Sequence, residues 1–204
     1  DIPGANNCGP ILADDPILAS ATVNYVGQPV FAVIADSQYA ARRAARLASI
    51  SYVDLPAILQ PGHARAQESF VVPPMARARG DVAAALASAP RRLCGQFSVG
   101  GQEQFYLEGQ ISYAIPTENS GIHLHCSTQH PSEMQHLVAH ALAVPSSHIK
   151  VETRRMGGGF GGKESQSAQF ACIASIAARR LNRPVKLRLD RDDDMLITGK
   201  RHDF

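Results

Sequence analysis

The chain has 204 residues, 45% of them hydrophobic, with 20 Lys and Arg against 18 Asp and Glu for a formal net charge of +2. There is enough apolar material for one large or two small domains, and the interleaved charges leave no electrostatic footprint for nucleic acid or for an anionic membrane. No apolar run approaches the ~20 residues of a membrane span and the N-terminus lacks the basic-then-apolar order of a signal peptide, so a cytoplasmic setting is expected.

Two α/β units are expected, divided by a boundary loop. Residues 29–35 form a short apolar run rich in β-branched side chains and predict a strand. Residues 37–49 predict a helix capped by Ser37, with Tyr39, Ala40, Ala44 and Leu47 at helical spacing. Arg42, Arg43 and Arg46 then form its solvated face, since no aromatic residues interleave them as nucleic-acid contacts require. Residues 50–53 predict another strand, and residues 56–75, with four prolines and little periodicity, a linker that puts the boundary near Pro74.

The second unit opens with Asp81 as N-cap of a short helix over residues 82–87. Residues 93–99, 110–115 and 122–128 read as strands of a mixed sheet, and residues 131–144 as a helix with Met134, Leu137, Val138, Ala141 and Leu142 on one face. His136 and His140 lie four apart there but lack the glutamate of an H-E-x-x-H site, and His123 and His125 on one strand face are expected to be exposed or singly hydrogen-bonded. Cys8, Cys94, Cys126 and Cys172 are too scattered for an iron–sulfur cluster and read as buried thiols.

The chemistry is expected between a charged, alternating strand at 149–155 and an alanine-rich helix at 164–181, where Met156 to Glu164 reads Met-Gly-Gly-Gly-Phe-Gly-Gly-Lys-Glu. So many glycines imply a backbone pressed against something that tolerates no side chains, with main-chain N–H groups and the following helix N-terminus available to an anion. Gly157 to Lys163 follows the phosphate-loop pattern until Glu164, an anion where a hydroxyl should bind Mg²⁺. Gly157, Gly159 and Gly162 also fit the dinucleotide-binding G-x-G-x-x-G, with a strand at 185–189 and an acid at Asp190, although the preceding strand is too polar to be buried on both faces. A stand-alone α/β interaction domain that binds an anion at this loop is a non-enzymatic alternative.

The loop, together with Asp1-Ile-Pro-Gly4, the run 100–108, Ser127-Thr-Gln129 and the run 189–204, resembles in order the molybdenum-binding (molybdopterin) subunit of the xanthine dehydrogenase family, within the wider xanthine oxidase and aldehyde oxidase group, in its bacterial, separately encoded form. The resemblance covers essentially the whole chain. It implies the C-terminal part of an α/β-hammerhead domain over 1–74 and the N-terminal part of a molybdopterin-binding mixed α/β domain over 75–204. The chain begins without Met, inside the resembled subunit, and is expected to be a fragment.

By the same resemblance, Gly159, Phe160 and Gly161 bind a molybdenum–pterin cofactor, with the main-chain amides of Phe160 and Gly161 facing an oxygen ligand of the metal. Gln129 matches a glutamine that hydrogen-bonds a molybdenum oxo group, so Gln129 and Phe160 approach the metal's oxygens without ligating it through side chains. Glu164 matches a glutamate that binds the purine ring, where related aldehyde oxidoreductases tend to a non-acidic residue; helix capping is its ordinary alternative. The implied reaction is oxidation of hypoxanthine and xanthine to urate with oxygen from water, electrons leaving through 2Fe-2S and FAD centres of a partner subunit to NAD⁺. That implies a hetero-oligomer. No catalytic residue is assigned within the chain, the general base being expected downstream, so the chain alone is expected to be inactive. Gln104 departs from the histidine frequent in the family. Lys163 receives no role, and Glu103 and Glu108 are read as polar anchors near the site. Within the same chemistry, an aldehyde or another N-heterocycle is the alternative substrate.

Overall fold

The computed structural model describes residues 1–204. In chain order its helices are α1 (Gln38–Ala45), α2 (Pro61–Ala66), α3 (Val82–Ser88), α4 (Pro131–Leu142), α5 (Ser167–Leu181) and α6 (Arg191–Ile197), and its strands β1 (Ile111–Pro116), β2 (Ile122–Cys126), β3 (Ile149–Glu152) and β4 (Val185–Arg188). Two compact units are interleaved in sequence. The larger joins Asp1–Ala48 to Gln102–Arg201, and the smaller joins Ser49–Gly101 to His202–Phe204.

The larger unit is built on a mixed sheet in the order β3-β2-β1-β4. β1 pairs antiparallel with both β2 and β4, while β2 and β3 are parallel and are linked through α4. The period-two pattern of β2 decides which face is covered: Ile122, Leu124 and Cys126 are buried, and His123 and His125 lie on the other face. Met134, Val138 and Leu142 from α4 and Ala171, Cys172 and Ala174 from α5 complete that core. Small side chains on α5 let its backbone lie close to the sheet, so enlarging Ala174, fully buried, would cost about 1–3 kcal/mol in overpacking.

Both long helices end in a left-handed residue, Ala143 after α4 and Asn182 after α5, which terminates each helix. The N-terminal segment joins the C-terminal end of α4, where Gly4 N–H donates to Ala141 O at 3.0 Å and Ala5 N–H to His140 O at 3.1 Å. A Cβ on Gly4 would stand 2.0 Å from His140 O, so this approach requires glycine. Further along, Ile17 is fully buried and its carbonyl accepts from Gln169 Nε2 of α5 at 3.0 Å.

Three expected strands do not form. Residues 29–35, 50–53 and 93–99 have no strand partner, and a β-propensity without a partner's ladder leaves extended chain rather than sheet. α1 does form, with Ser37 Oγ accepting from Ala40 N–H at 3.1 Å, but it ends at Ala45 and buries no residue; Tyr39 and Leu47 are exposed. α2 occupies part of the expected linker, with Pro61 in its first turn. α6 stands in the 189–204 run, where no element is expected, although Asp190 followed by three more acids is a readable helix start.

In the smaller unit, α3 is capped as expected, Asp81 Oδ1 accepting from Ala84 N–H at 2.9 Å. Val99 and Phe204 exchange backbone hydrogen bonds of 3.0 and 2.9 Å. Its Cys94 is exposed, against the expectation of a buried thiol, because its segment packs on no sheet. The other three cysteines are buried, and burial pushes Cys8 up to about 12 and Cys126 up to about 11, so they behave as inert apolar groups.

Candidate cofactor site at the glycine loop

The glycine loop follows edge strand β3 and folds back over the segment that precedes β1. Its inward side is filled by the protein itself. A Cβ on Gly159 would lie 2.5 Å from Gln129 Oε1, and one on Gly162 would lie 2.6 Å from Tyr106 Cε1. The expectation that the loop presses against something intolerant of side chains is therefore met from within, by Gln129 and Tyr106.

Two side chains that carried no functional assignment anchor the loop. Lys163 is completely buried; its ammonium lies 3.1 Å from Glu108 Oε2, 2.8 Å from Ser127 Oγ and 4.7 Å from the centre of the Tyr106 ring. Glu108 Oε2 also accepts from Ser127 Oγ at 2.5 Å and from Gly157 N–H at 2.9 Å. Burial pushes the Glu108 carboxyl up, but the bonds from Ser127, Gly157 N–H and Lys163 outweigh it and hold the group below the usual glutamate range. Nothing in the sequence pairs Lys163 with a carboxylate 55 positions away. Glu103, also read as an anchor, pairs with Lys200 at 2.6 Å.

A second buried network fixes the other end of the loop. Tyr106 O–H donates to Asp194 Oδ1 at 2.6 Å, and Gln110 N–H donates to Asp194 Oδ2 at 2.6 Å. The Gln110 side-chain amide donates to Tyr106 Oη at 3.0 Å and to Gly162 O at 2.9 Å, while its carbonyl accepts from Ser167 Oγ at 3.0 Å. Burial, and then the hydrogen bond to the Asp194 carboxylate, push the Tyr106 phenol up to about 12. Gln104 packs beside this end, its Cγ lying 3.2 Å from where a Gly162 Cβ would stand.

On the outward side the groups are free. Gln129 Oε1 accepts from Gly161 N–H at 3.0 Å and from Lys163 N–H at 3.2 Å, and its NH₂ donates to no protein atom. Gly161 N–H is thus spent within the loop. Phe160, with φ of 52°, keeps an N–H without an acceptor and a ring that is 76% exposed. Glu164 is exposed, with no hydrogen bond or ion pair. The expected helix begins only at Ser167, so Glu164 lies outside its first turn and helix capping does not account for it.

Residues 63–204 match the profile of the molybdopterin cofactor-binding domain, and residues 1–56 match that of the aldehyde oxidase and xanthine dehydrogenase a/b hammerhead domain. The chain belongs to the molybdopterin-binding aldehyde oxidase and xanthine dehydrogenase family. It is 45% identical over 209 residues to a xanthine dehydrogenase of Oryza sativa subsp. japonica and 42% identical over 201 residues to one of Drosophila subobscura. These alignments take in 100% and 98% of this chain, which spans about 15% of the length of either relative. Among solved structures, quinoline 2-oxidoreductase from Pseudomonas putida 86 superposes with a TM-score of 0.81 at 30% identity, over 91% of this chain and 25% of that one.

Within this family member the two nucleotide readings of the loop lose their support. A phosphate-loop lysine must reach into the site, whereas Lys163 is buried against Glu108. A dinucleotide fold needs the strand after the loop helix to lie parallel beside the strand before it. Here β4 is on the opposite edge of the sheet from β3 and runs antiparallel to β1. The molybdopterin reading fits the donor set: the Gln129 amide, held by its own carbonyl, and the Phe160 N–H are two unspent neutral donors suited to the oxygens of an anionic cofactor. His136 and His140 join no third metal-ligating side chain.

No helix is long and apolar enough to cross a membrane.

Proposed function

We propose that this chain forms part of the cofactor wall of a xanthine dehydrogenase-type molybdenum hydroxylase that oxidises hypoxanthine and xanthine to urate. The observation that carries the reading is Gln129, whose side-chain carbonyl is pinned by Gly161 and Lys163 so that its NH₂ is left to donate outward. When bound, the molybdenum–pterin supplies two-electron oxidation with oxygen taken from water. The chain's own residues bind and orient. The Gln129 amide and the Phe160 N–H hold the cofactor side, Gly161 N–H pins the Gln129 carbonyl and Gly159 leaves the room that side chain needs, and Glu164 offers its free carboxyl to a polar ring.

A carboxyl stabilises negative charge developing on a heterocycle when it carries or shares a proton, which is the role we give Glu164. Glu108 is not available as general base because Lys163, Ser127 and Gly157 hold it as an ionised structural anchor. We therefore place the base outside this chain and expect the isolated 204 residues to be inactive. We assign residues 1–74 to the hammerhead part and 75–204 to the molybdopterin-binding part. The 2Fe-2S and FAD centres that would pass electrons on to NAD⁺ we assign to a partner subunit, in a cytoplasmic hetero-oligomer. A second reading keeps the chemistry and changes the ring: the likeness to quinoline 2-oxidoreductase at 30% identity favours another N-heterocycle.

The test is molybdenum content by mass spectrometry of the full-length parent purified with its partners, beside a Glu164→Ala variant assayed with xanthine, quinoline and an aldehyde. Stoichiometric molybdenum in both proteins, with xanthine turnover lost only in the variant, supports the purine reading. Turnover of quinoline or the aldehyde without xanthine shifts the substrate class, and absence of molybdenum sinks the proposal.

A further inference from the structure

On the face of the sheet away from α4 and α5, the two histidines of β2 meet the last residue of β3. His125 is the register partner of Glu152, and His123 stands two residues earlier on the same face. Glu152 Oε2 is 2.9 Å from His123 Nε2 and 3.9 Å from His125 Nδ1, and the three ligand atoms all lie within 4.8 Å of one another. The imidazole centroids are 4.4 Å apart. The expectation of exposed or singly hydrogen-bonded imidazoles holds, His123 making the one hydrogen bond to Glu152 and His125 none, and the tertiary register adds that both rings stand near the same carboxylate oxygen.

We propose that His123, His125 and Glu152 form a site for a divalent transition-metal ion, zinc by preference, that clamps β3 to β2 below the glycine loop. Zinc bound at 2.0–2.2 Å by two imidazole nitrogens and a carboxylate oxygen sets its ligand atoms roughly 3.4 Å apart in tetrahedral geometry. The two carboxylate–imidazole separations straddle that value, each within about half an ångström of it, and side-chain rotation brings together the two imidazole nitrogens, which lie within 4.8 Å of each other, without moving a strand. Two imidazoles and one carboxylate suit zinc or another late divalent ion over magnesium or calcium, which prefer all-oxygen ligands. Water takes the fourth position.

The surrounding charges bear on the strength of the site. Glu152 Oε1 accepts from Arg154 Nε at 2.5 Å, which leaves Oε2 to the metal, and the Arg154 side chain is 83% exposed. Lys150 is the register partner of His123, and Lys186 that of Tyr113, whose ring stacks on His125 at 6.1 Å. These cations weaken the site relative to one ringed by acids. A metal here has structural work to do: β3 is a four-residue edge strand, and the glycine loop begins five residues after Glu152.

The test is zinc uptake by the full-length parent holoenzyme after chelation, measured by equilibrium dialysis with mass-spectrometric zinc, for the wild type, His125→Asn and Glu152→Gln. The wild type should bind one equivalent more than either variant in the low-zinc range, and each substitution should weaken that equivalent by at least about tenfold. Zinc should also slow amide exchange in the peptide covering residues 149–155 of the wild type and not of Glu152→Gln. Equal uptake by all three proteins, or no zinc-dependent protection of that peptide, overturns the proposal. If a variant fails to fold, the exchange difference in the wild type with and without zinc decides alone.

Discussion

The two sides of the glycine loop use the same residue type for opposite reasons. On the inner side, Gly159 and Gly162 are glycine because Gln129 and Tyr106 already occupy the space a Cβ would need. On the outer side, Gly161 has φ of 84° and nothing within 4 Å of where its Cβ would stand. The first pair makes the loop rigid, and the second position leaves it open to a ligand. The contrast extends to the charged neighbours: Lys163 is buried and bonded, whereas the next residue, Glu164, is exposed and free. A site that must orient a cofactor needs both halves, an anchored rear and an unspent front.

The anchored half should break hardest at Lys163. Lys163→Met removes the cation that faces Glu108 and leaves that carboxylate with only Ser127 and Gly157 N–H. Breaking a buried pair costs about 3–5 kcal/mol, and the low end applies because the Glu108 side chain is 38% exposed and retains some water. Amide exchange over residues 156–163 of the parent protein should rise accordingly, while the variant keeps its helices by circular dichroism. The same anchor carries a pH signature. Since the folded-state Glu108 value lies below the ordinary 4.5, its contribution is full above that pH and is lost as pH falls through the lowered value. Glu108→Gln should therefore flatten the acid limb of loop exchange, with no change near neutrality in its slope against pH.

Next in size is Gly159→Ala. The new methyl would sit 2.5 Å from Gln129 Oε1 and 2.7 Å from Gln129 Cδ, so either the loop or the glutamine must move. Overpacking of this kind costs about 1–3 kcal/mol. It should also uncouple Gln129 from Gly161 and Lys163, so the parent protein should lose molybdenum occupancy along with loop protection. Full molybdenum content in Gly159→Ala would show that the inner packing does not set the position of the Gln129 amide.

The sequence shows this division only in part. Glycine density marks the loop because glycine is the only residue that tolerates both contact and positive φ, and the alternation in β2 and the helical spacing in α4 identify the sheet and its cover. Which glycine serves contact and which serves conformation depends on Gln129 and Tyr106, whose positions come from tertiary folding. Lys163 was unreadable for the same reason, its partner Glu108 standing on the segment before β1. The strands expected at 29–35, 50–53 and 93–99 fail differently: their local pattern is sound, but a strand needs a neighbouring ladder, and beyond isolated bonds such as the Val99–Phe204 exchange none forms. His123 and His125 were placed correctly on one face, and only the parallel register of β2 with β3 adds Glu152 to them.

The smallest effect belongs to the open half. Gly161→Ala introduces a methyl into empty space but holds an L-residue at a φ of 84°, a cost of about 1 kcal/mol from backbone strain alone. Gly161→Asn should cost less, because asparagine enters the left-handed region more readily than alanine. Both variants keep the Gly161 N–H that donates to Gln129, so loop exchange should change little and molybdenum should be retained. Any loss of activity would then come from the side chain meeting the bound cofactor or substrate. The comparison turns on the order of these effects. If Gly161→Ala disturbed loop exchange as much as Gly159→Ala does, strain rather than contact would govern both sides of the loop, and its outer face would not be the open surface that the geometry describes.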